Sequence, residues 1–354
     1  LVMLQYPASP EQQSRFDRQI AYWLLVCAAV IFGMILLGGV TRLTNSGLSM
    51  VEWKPLAGII PPLSLADWQE MFLKYQQYPE YQKTNFTMTL EEFKSIFMYE
   101  YLHRVLGRFI GILFVLPFLL FLFTKRIAPG LTPRLVAMLV LGGSQGLLGW
   151  YMVKSGLVDN PHVSQYRLTA HLGLAVFVYG FIIWTALDLL APKRPQPNHL
   201  RRFSFTLSGL IFLMILSGGL VAGTRAGVPY PTWPLMGDSF IPPGLYSLQP
   251  IWLSAFEDML TIQFNHRMLA YLIVCLVLTF AYKALKSDLQ GSLRIAIYCF
   301  IGLLFLQVSL GISTLIFYIP VPVAAAHQVC AVALLTASLF VSHSFTHESE
   351  PKGL

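Results

Sequence analysis

The sequence predicts an all-α integral membrane protein: eight transmembrane helices arranged as two four-helix bundles related by a pseudo-two-fold axis. Three observations carry this prediction. The 354 residues are 55% hydrophobic and only 12% charged, far from the balance of a soluble globular chain. Apolar runs reach the roughly 20 residues that an α-helix needs to cross a bilayer. A set of small, polar and ionisable residues in the first half returns in the same order in the second, as expected of an internal repeat.

Taken in order, the spans fall at about 20–43, 98–124, 134–154, 165–190, 203–224, 258–282, 293–317 and 322–343. The residues before the first span are mostly polar, with Arg15 and Arg18, and lack the short apolar stretch and small-residue cleavage site of a targeting peptide. Basic residues collect in alternate linkers: Lys125, Arg126 and Arg134; Lys193, Arg194, Arg201 and Arg202; Lys283, Lys286 and Arg294. The positive-inside rule then places both termini and these linkers on the cytoplasmic or matrix side. The net charge of +7 is read as this orientation signal, not as a nucleic-acid surface. The long outer linker 44–97 holds two helix starts with capping partners, Ser64 with Asp67 and Thr89 with Glu92. They predict short amphipathic helices over the outer membrane face, where Trp68, Phe72, Tyr75, Tyr78 and Tyr81 suit an interface. The four cysteines, Cys27, Cys275, Cys299 and Cys330, all sit in apolar runs. They read as small core residues and not as a disulfide or zinc cluster.

The repeat is explicit. Gly38-Gly39, Thr41-Arg42, Gly47, Trp53 and Pro61-Pro62 return as Gly218-Gly219, Thr224-Arg225, Gly227, Trp233 and Pro242-Pro243. His103-Arg104 returns as His266-Arg267, Gln145 and Gly149 as Gln307 and Gly311, and His171 as His327. Each half, 1–190 and 203–343, is thus a four-helix unit. Four is even, so both units enter from the same side and the axis relating them runs along the membrane normal.

Four of the eight histidines, His103, His171, His266 and His327, lie on four different even-numbered spans at matching repeat positions. Pairing within each half gives two bis-histidine sites near the outer face. Two imidazoles across a bundle core suit haem iron, whereas zinc more often recruits cysteine or carboxylate as well. Haem propionates are anionic and pair with guanidinium. Arg104, Arg108 and Arg267 are candidates for that contact, with Arg42 and Arg225 assisting from the span ends. The halves differ three residues before the first histidine of each pair, where Glu100 stands against Gln263. A carboxylate can take a proton or stabilise a developing cation and an amide cannot. The first half therefore reads as the site of chemistry, the second as an electron-transfer site.

At these residues the sequence resembles the haem A synthase family. The likeness runs from about residue 18 to 343 and is carried by GGVTRLTNSGLSMVEW at 38–53, EYLHR at 100–104, QGLLGWYMVKSGL at 145–157, VSQYRLTAHLG at 164–173 and NHR at 265–267. The resemblance implies oxidation of a ring methyl of haem O to a formyl group, giving haem A for terminal oxidases. It implies that His103 and His171 face substrate haem O, that His266 and His327 ligate a haem b cofactor, and that Glu100 is the acid linked to catalysis. Some bacterial members carry a cysteine pair in an outer loop. This sequence has none there and is closer to the branch shared by proteobacteria and mitochondria, which points to a bacterial inner membrane, with the mitochondrial inner membrane as the alternative. The lipid bilayer and haem O are the implied partners, and a haem O synthase, an electron donor and a second copy of the chain are further candidates. Two competing readings remain at the level of sequence, a di-haem electron-transfer cytochrome and a haem carrier.

Overall fold

A computed structural model describes residues 10–52, 57–156, 163–190, 198–287, 289 and 291–346. Trp53, Lys54, His162, Lys193, Arg194 and His347, on which parts of the repeat, loop and charge readings rest, lie outside them. Among the described residues, eight helices are long and apolar enough to cross a membrane. They are α1 (Pro10–Leu43), α4 (Leu90–Phe123), α5 (Thr132–Gly156), α6 (Gln165–Leu190), α7 (Asn198–Thr224), α9 (Met259–Lys286), α10 (Ser292–Ile316) and α11 (Val321–Ser344). Between them α2 (Leu65–Tyr75), α3 (Pro79–Lys83) and the one-turn α8 (Ser254–Glu257) belong to the loops between α1 and α4 and between α7 and α9.

Two helices begin well before their apolar runs. In α1 the polar first turns continue the helix, with Gln13 Nε2 donating to Asp17 Oδ1 at 2.7 Å. Pro10 at the start suits a position whose N–H has no helical partner. In α4 the capping box is complete: Thr89 Oγ1 accepts from the Glu92 amide at 3.4 Å and Glu92 Oε2 accepts from the Thr89 amide at 2.8 Å. Thr89 therefore opens the second spanning helix itself and not a separate surface helix. Ser64 and Asp67 do cap a short one, α2. The loop aromatics pack on the top of α4, forming a small core in which Tyr75 stacks on Phe93 at 5.1 Å and Trp68 meets Phe97 edge-on at 5.1 Å.

The main core sits between helices. On α1 the buried residues Ile20, Leu24, Cys27, Ala28, Ile31 and Ile35 recur with the i, i+3, i+4 spacing of one helical face. Helix α1 packs on α4, α6 and α11; α7 packs on α6, α9 and α11; α5 lies against α4 and α6; α10 lies against α9 and α11; and α6 meets α11. Exchanging α1 with α7, α4 with α9, α5 with α10 and α6 with α11 maps this set of contacts onto itself. The outward faces are apolar, as at Leu116 and Phe123, which suits contact with acyl chains. Polar pins hold the bundle inside: Tyr179 Oη with Thr336 Oγ1 at 2.8 Å joins the halves, and Ser208 with Ser338 at 2.7 Å and Ser342 at 2.9 Å ties α7 to α11 within the second half. At the end of the bundle away from the paired histidines, Asp188 joins Arg134 at 2.5 Å and His343 at 3.0 Å.

The helix exits correct one part of the repeat. After α1 the Ser46 amide donates to the Thr41 carbonyl and Asn45 has φ 52°; after α7 the Ala226 amide donates to the Val221 carbonyl and Arg225 has φ 57°. Thr44 and Thr224 make the same hydroxyl bond one turn back, to Val40 and Leu220. Asn45 and not Arg42 is thus the structural counterpart of Arg225. The Thr-Arg dipeptides are shifted by three residues, because the pattern match followed residue type while the backbone follows the helix end.

Candidate paired-histidine sites

The loop leaving α1 is fastened to α4 by a buried ion pair. Glu100 Oε1 accepts from Arg104 at 2.5 Å, and its Oε2 accepts from Ser49 Oγ and from the Met50 amide, each at 2.8 Å. Arg104 also donates to the Met50 carbonyl at 2.8 Å and the Glu52 carbonyl at 3.0 Å. The loop leaving α7 is fastened to α9 the same way. Gln263 Nε2 and Arg267 both donate to the Tyr230 carbonyl at 3.1 Å, and Arg267 donates to the Leu235 carbonyl at 3.2 Å. Arg104 and Arg267, two of the arginines expected at propionates, are therefore engaged by loop carbonyls. Arg108 lies within electrostatic reach of Arg104 and Tyr101. Arg42 donates to the Ala222 carbonyl at 3.0 Å and Arg225 to Asn45 Oδ1 at 2.7 Å, so both bridge the halves. They lie within electrostatic reach of one another.

Each half brings two half-buried imidazoles together. His103 is within electrostatic reach of His171, and His266 of His327. Three of them sit about two turns inside α6, α9 and α11. His103 lies nearly four turns into α4, because that helix starts above the others. Every ring rests on a glycine of a neighbouring helix. A Cβ at Gly38 would stand 3.2 Å from His103 Nε2, and one at Gly218 3.5 Å from His266 Cε1. At Gly149 and Gly311 it would stand 2.9 and 2.8 Å from Cε1 of His171 and His327, closer than packing allows. Gln145 Nε2 lies 3.4 Å from His171 Nε2, and Gln307 Nε2 lies 3.5 Å from His327 Nε2.

Sequence reasoning assigned no role to these glutamines or to Ser49, and did not connect Gly149 and Gly311 with the histidines. The signal was present, since Gln-x3-Gly recurs at 145–149 and 307–311 and a spacing of four puts both residues on one helix face. Ser49 becomes visible only when the loop folds back onto Glu100.

The arrangement fits two haem groups. Among the described residues no three His, Cys, Asp or Glu side chains gather as for a bare metal ion. The imidazoles come in pairs on glycine-lined walls. Buried polar atoms without a hydrogen-bond partner among the described residues, Gln145 Oε1, Gln307 Oε1 and His171 Nδ1, border the same two places.

Fold and site together define a polytopic helical membrane protein with an internally repeated pair of histidine sites. The chain belongs to the cytochrome oxidase assembly protein family, COX15-CtaA, whose sequence model matches residues 21–339. It is 51% identical over 347 residues to the heme A synthase of Nitrosospira multiformis, covering 97% of this chain and 98% of that one. It is 49% identical to the heme A synthase of Nitrosomonas eutropha, covering 91% and 92% of the two chains. Against human heme A synthase COX15 it is 43% identical, covering 92% and 82%.

Proposed function

We propose that the protein is a haem A synthase that oxidises a ring methyl of haem O to a formyl group. The observation that carries the reading is the repeated imidazole pair, each ring on its glycine, in a chain of the family whose curated relatives bear that name over nearly their whole length. We assign His103 and His171 to the substrate haem O, and His266 and His327 to a resident haem b. The two halves, 1–190 and 203–343, act as substrate and cofactor units about a two-fold axis along the membrane normal. The protein lies in a bacterial inner membrane with the paired histidines towards the outer side and both termini cytoplasmic.

Haem b, when bound, supplies one-electron redox chemistry. The chain's own residues do the rest. The paired imidazoles would hold the two haem groups, one in each half. Glu100, 3% exposed, is fixed by three donors one turn before His103, and a fixed carboxylate can stabilise positive charge developing at the methyl being oxidised. Arg104 orients that carboxylate and seals the loop above it, which limits water at the reacting edge. Arg108 remains our first candidate for the propionates, with Arg42 and Arg225, which already bridge the halves, assisting.

The reading is tested by co-expression with a haem O synthase, followed by haem extraction and reverse-phase chromatography. Haem A from the parent, with haem O or a hydroxylated intermediate accumulating with Glu100→Gln, is the expected result. Haem O alone from both, with an electron donor known to be present, overturns it.

A further inference from the structure

The two imidazole pairs differ in how their second ring nitrogen is held. In the second half both Nδ1 atoms are engaged. His266 Nδ1 lies 3.0 Å from Ser217 Oγ, and His327 Nδ1 lies 3.1 Å from the Gln307 carbonyl. A carbonyl only accepts, so the proton of His327 sits on Nδ1 and Nε2 presents its lone pair. A serine hydroxyl inside a helix normally bonds the carbonyl one turn back. The Ser217 hydroxyl instead meets the ring of His266. Among the described residues neither ring of the first half is held this way. His171 Nδ1 is buried with no hydrogen-bond partner among the described residues. Gln145 donates to the backbone carbonyl of His171 at 3.0 Å, not to Nδ1. The residue matching Ser217 at the repeat offset of Gly38 and Gly218 is Leu37, which has no hydroxyl.

We propose that Ser217, with the Gln307 carbonyl, is a positioning device that holds the orientation of the second-half imidazoles, the carbonyl also fixing the tautomer of His327. It makes that site a permanent haem holder, while the first-half pair, without such locks, is built to take up and release its haem. This rests on the assignment of His266 and His327 to haem b. An acceptor on Nδ1–H fixes the ring and raises its basicity towards iron, and losing such a partner typically weakens a metal site by about 10–100-fold.

The test uses protein purified with its haem b and follows transfer of that haem to excess apomyoglobin, together with the midpoint potential. Ser217→Ala should release haem b at least about tenfold faster and shift the potential upward, because a less basic imidazole favours the ferric state less. Ser217→Thr, which keeps the hydroxyl, should restore both. Parent-like release and potential in Ser217→Ala overturn the proposal. So does equal loss in the alanine and threonine variants, which would mark a packing effect. The outcome is separable from the enzyme reading: a parent that makes haem A alongside an indifferent Ser217→Ala defeats only this inference. A parent that makes none, alongside the predicted haem loss, defeats only that reading.

Discussion

The loop after α1 and the loop after α7 are tied down at equivalent points by different chemistry. Met50 and Tyr230 occupy the same step beyond their helices, and Arg104 and Arg267 each donate to the carbonyl of that residue. In the first half the neighbouring side chain is a carboxylate that accepts the Met50 amide. In the second it is an amide that donates to the Tyr230 carbonyl. The second half thus shows that the tie needs no charge at this position. A buried carboxylate–guanidinium pair is a poor source of net stability, so its use at Glu100 where glutamine serves elsewhere points to a task beyond fastening. A second difference lies one turn beyond the arginine, where Arg108 of the first half faces Tyr271 of the second. The half with the extra acid also carries the extra base.

The sharpest way to break this comparison is Glu100→Gln, which gives the first half the side chain of the second. It should leave the fold and haem b content intact, as Gln263 beside Arg267 already does, while turnover falls by at least about a hundredfold, the size typical of losing a positioned catalytic group. Next comes the glycine beneath each distal ring. Gly311→Ala places a methyl where His327 lies and should leave purified protein with less than half the parent's haem b. Gly149→Ala should spare haem b and remove product. Pyridine haemochrome assay and haem chromatography read the two, and equal haem b loss in both would dissolve the division of labour. A smaller effect is expected from Gln263→Glu. The new carboxylate would face the Tyr230 carbonyl, acceptor against acceptor, at a cost of about 3 kcal/mol partly offset by Arg267. The midpoint of thermal unfolding should drop without any gain of activity.

Much of this was legible in the chain. Apolar runs must cross the membrane as helices because lipid offers no partner for backbone groups, so the spans could be drawn within a few residues except where α1 and α4 begin well before their apolar runs. There, polar composition hid helix that is continued by Thr89 capping and by Gln13 with Asp17. The pairing of His103 with His171 and of His266 with His327 followed from the repeat. The backbone register did not. Thr41-Arg42 and Thr224-Arg225 look alike as letters, yet the left-handed exits belong to Asn45 and Arg225. Hydrogen bonds such as Ser49 to Glu100 and Ser217 to His266 join residues about fifty apart with no periodic signal, and only the fold brings them together.

The comparison extends to the caps. The first half covers its site with a folded lid in which Glu80 of α3 is buried, accepting from Tyr75 at 3.1 Å while Asn85 donates to the same Tyr75 oxygen at 2.8 Å. Among the described residues of the second outer loop no carboxylate is buried. Burial, opposed by the Tyr75 hydrogen bond and reinforced by the charge of Glu100 below, pushes the Glu80 carboxyl up from 4.5 to about 7. The charged groups facing it are Glu100 from α4 and, once ionised, Tyr75 from α2, whose own phenol is raised by the same burial. Because the folded value lies above the unfolded one, Glu80 binds a proton more tightly in the closed lid than in the open one. Its contribution to closure is fully present below pH 4.5 and is lost as the pH rises through about 7. Amide hydrogen exchange in α2 and α3, corrected for intrinsic rates, should show protection falling as the pH rises from 4.5 to about 7 in the parent and staying level in Glu80→Gln. The outer loop of the second half should show no such slope in either protein. A parent lid whose protection does not change with pH would mean that Glu80 stays ionised in the closed lid and that the two caps differ in shape alone.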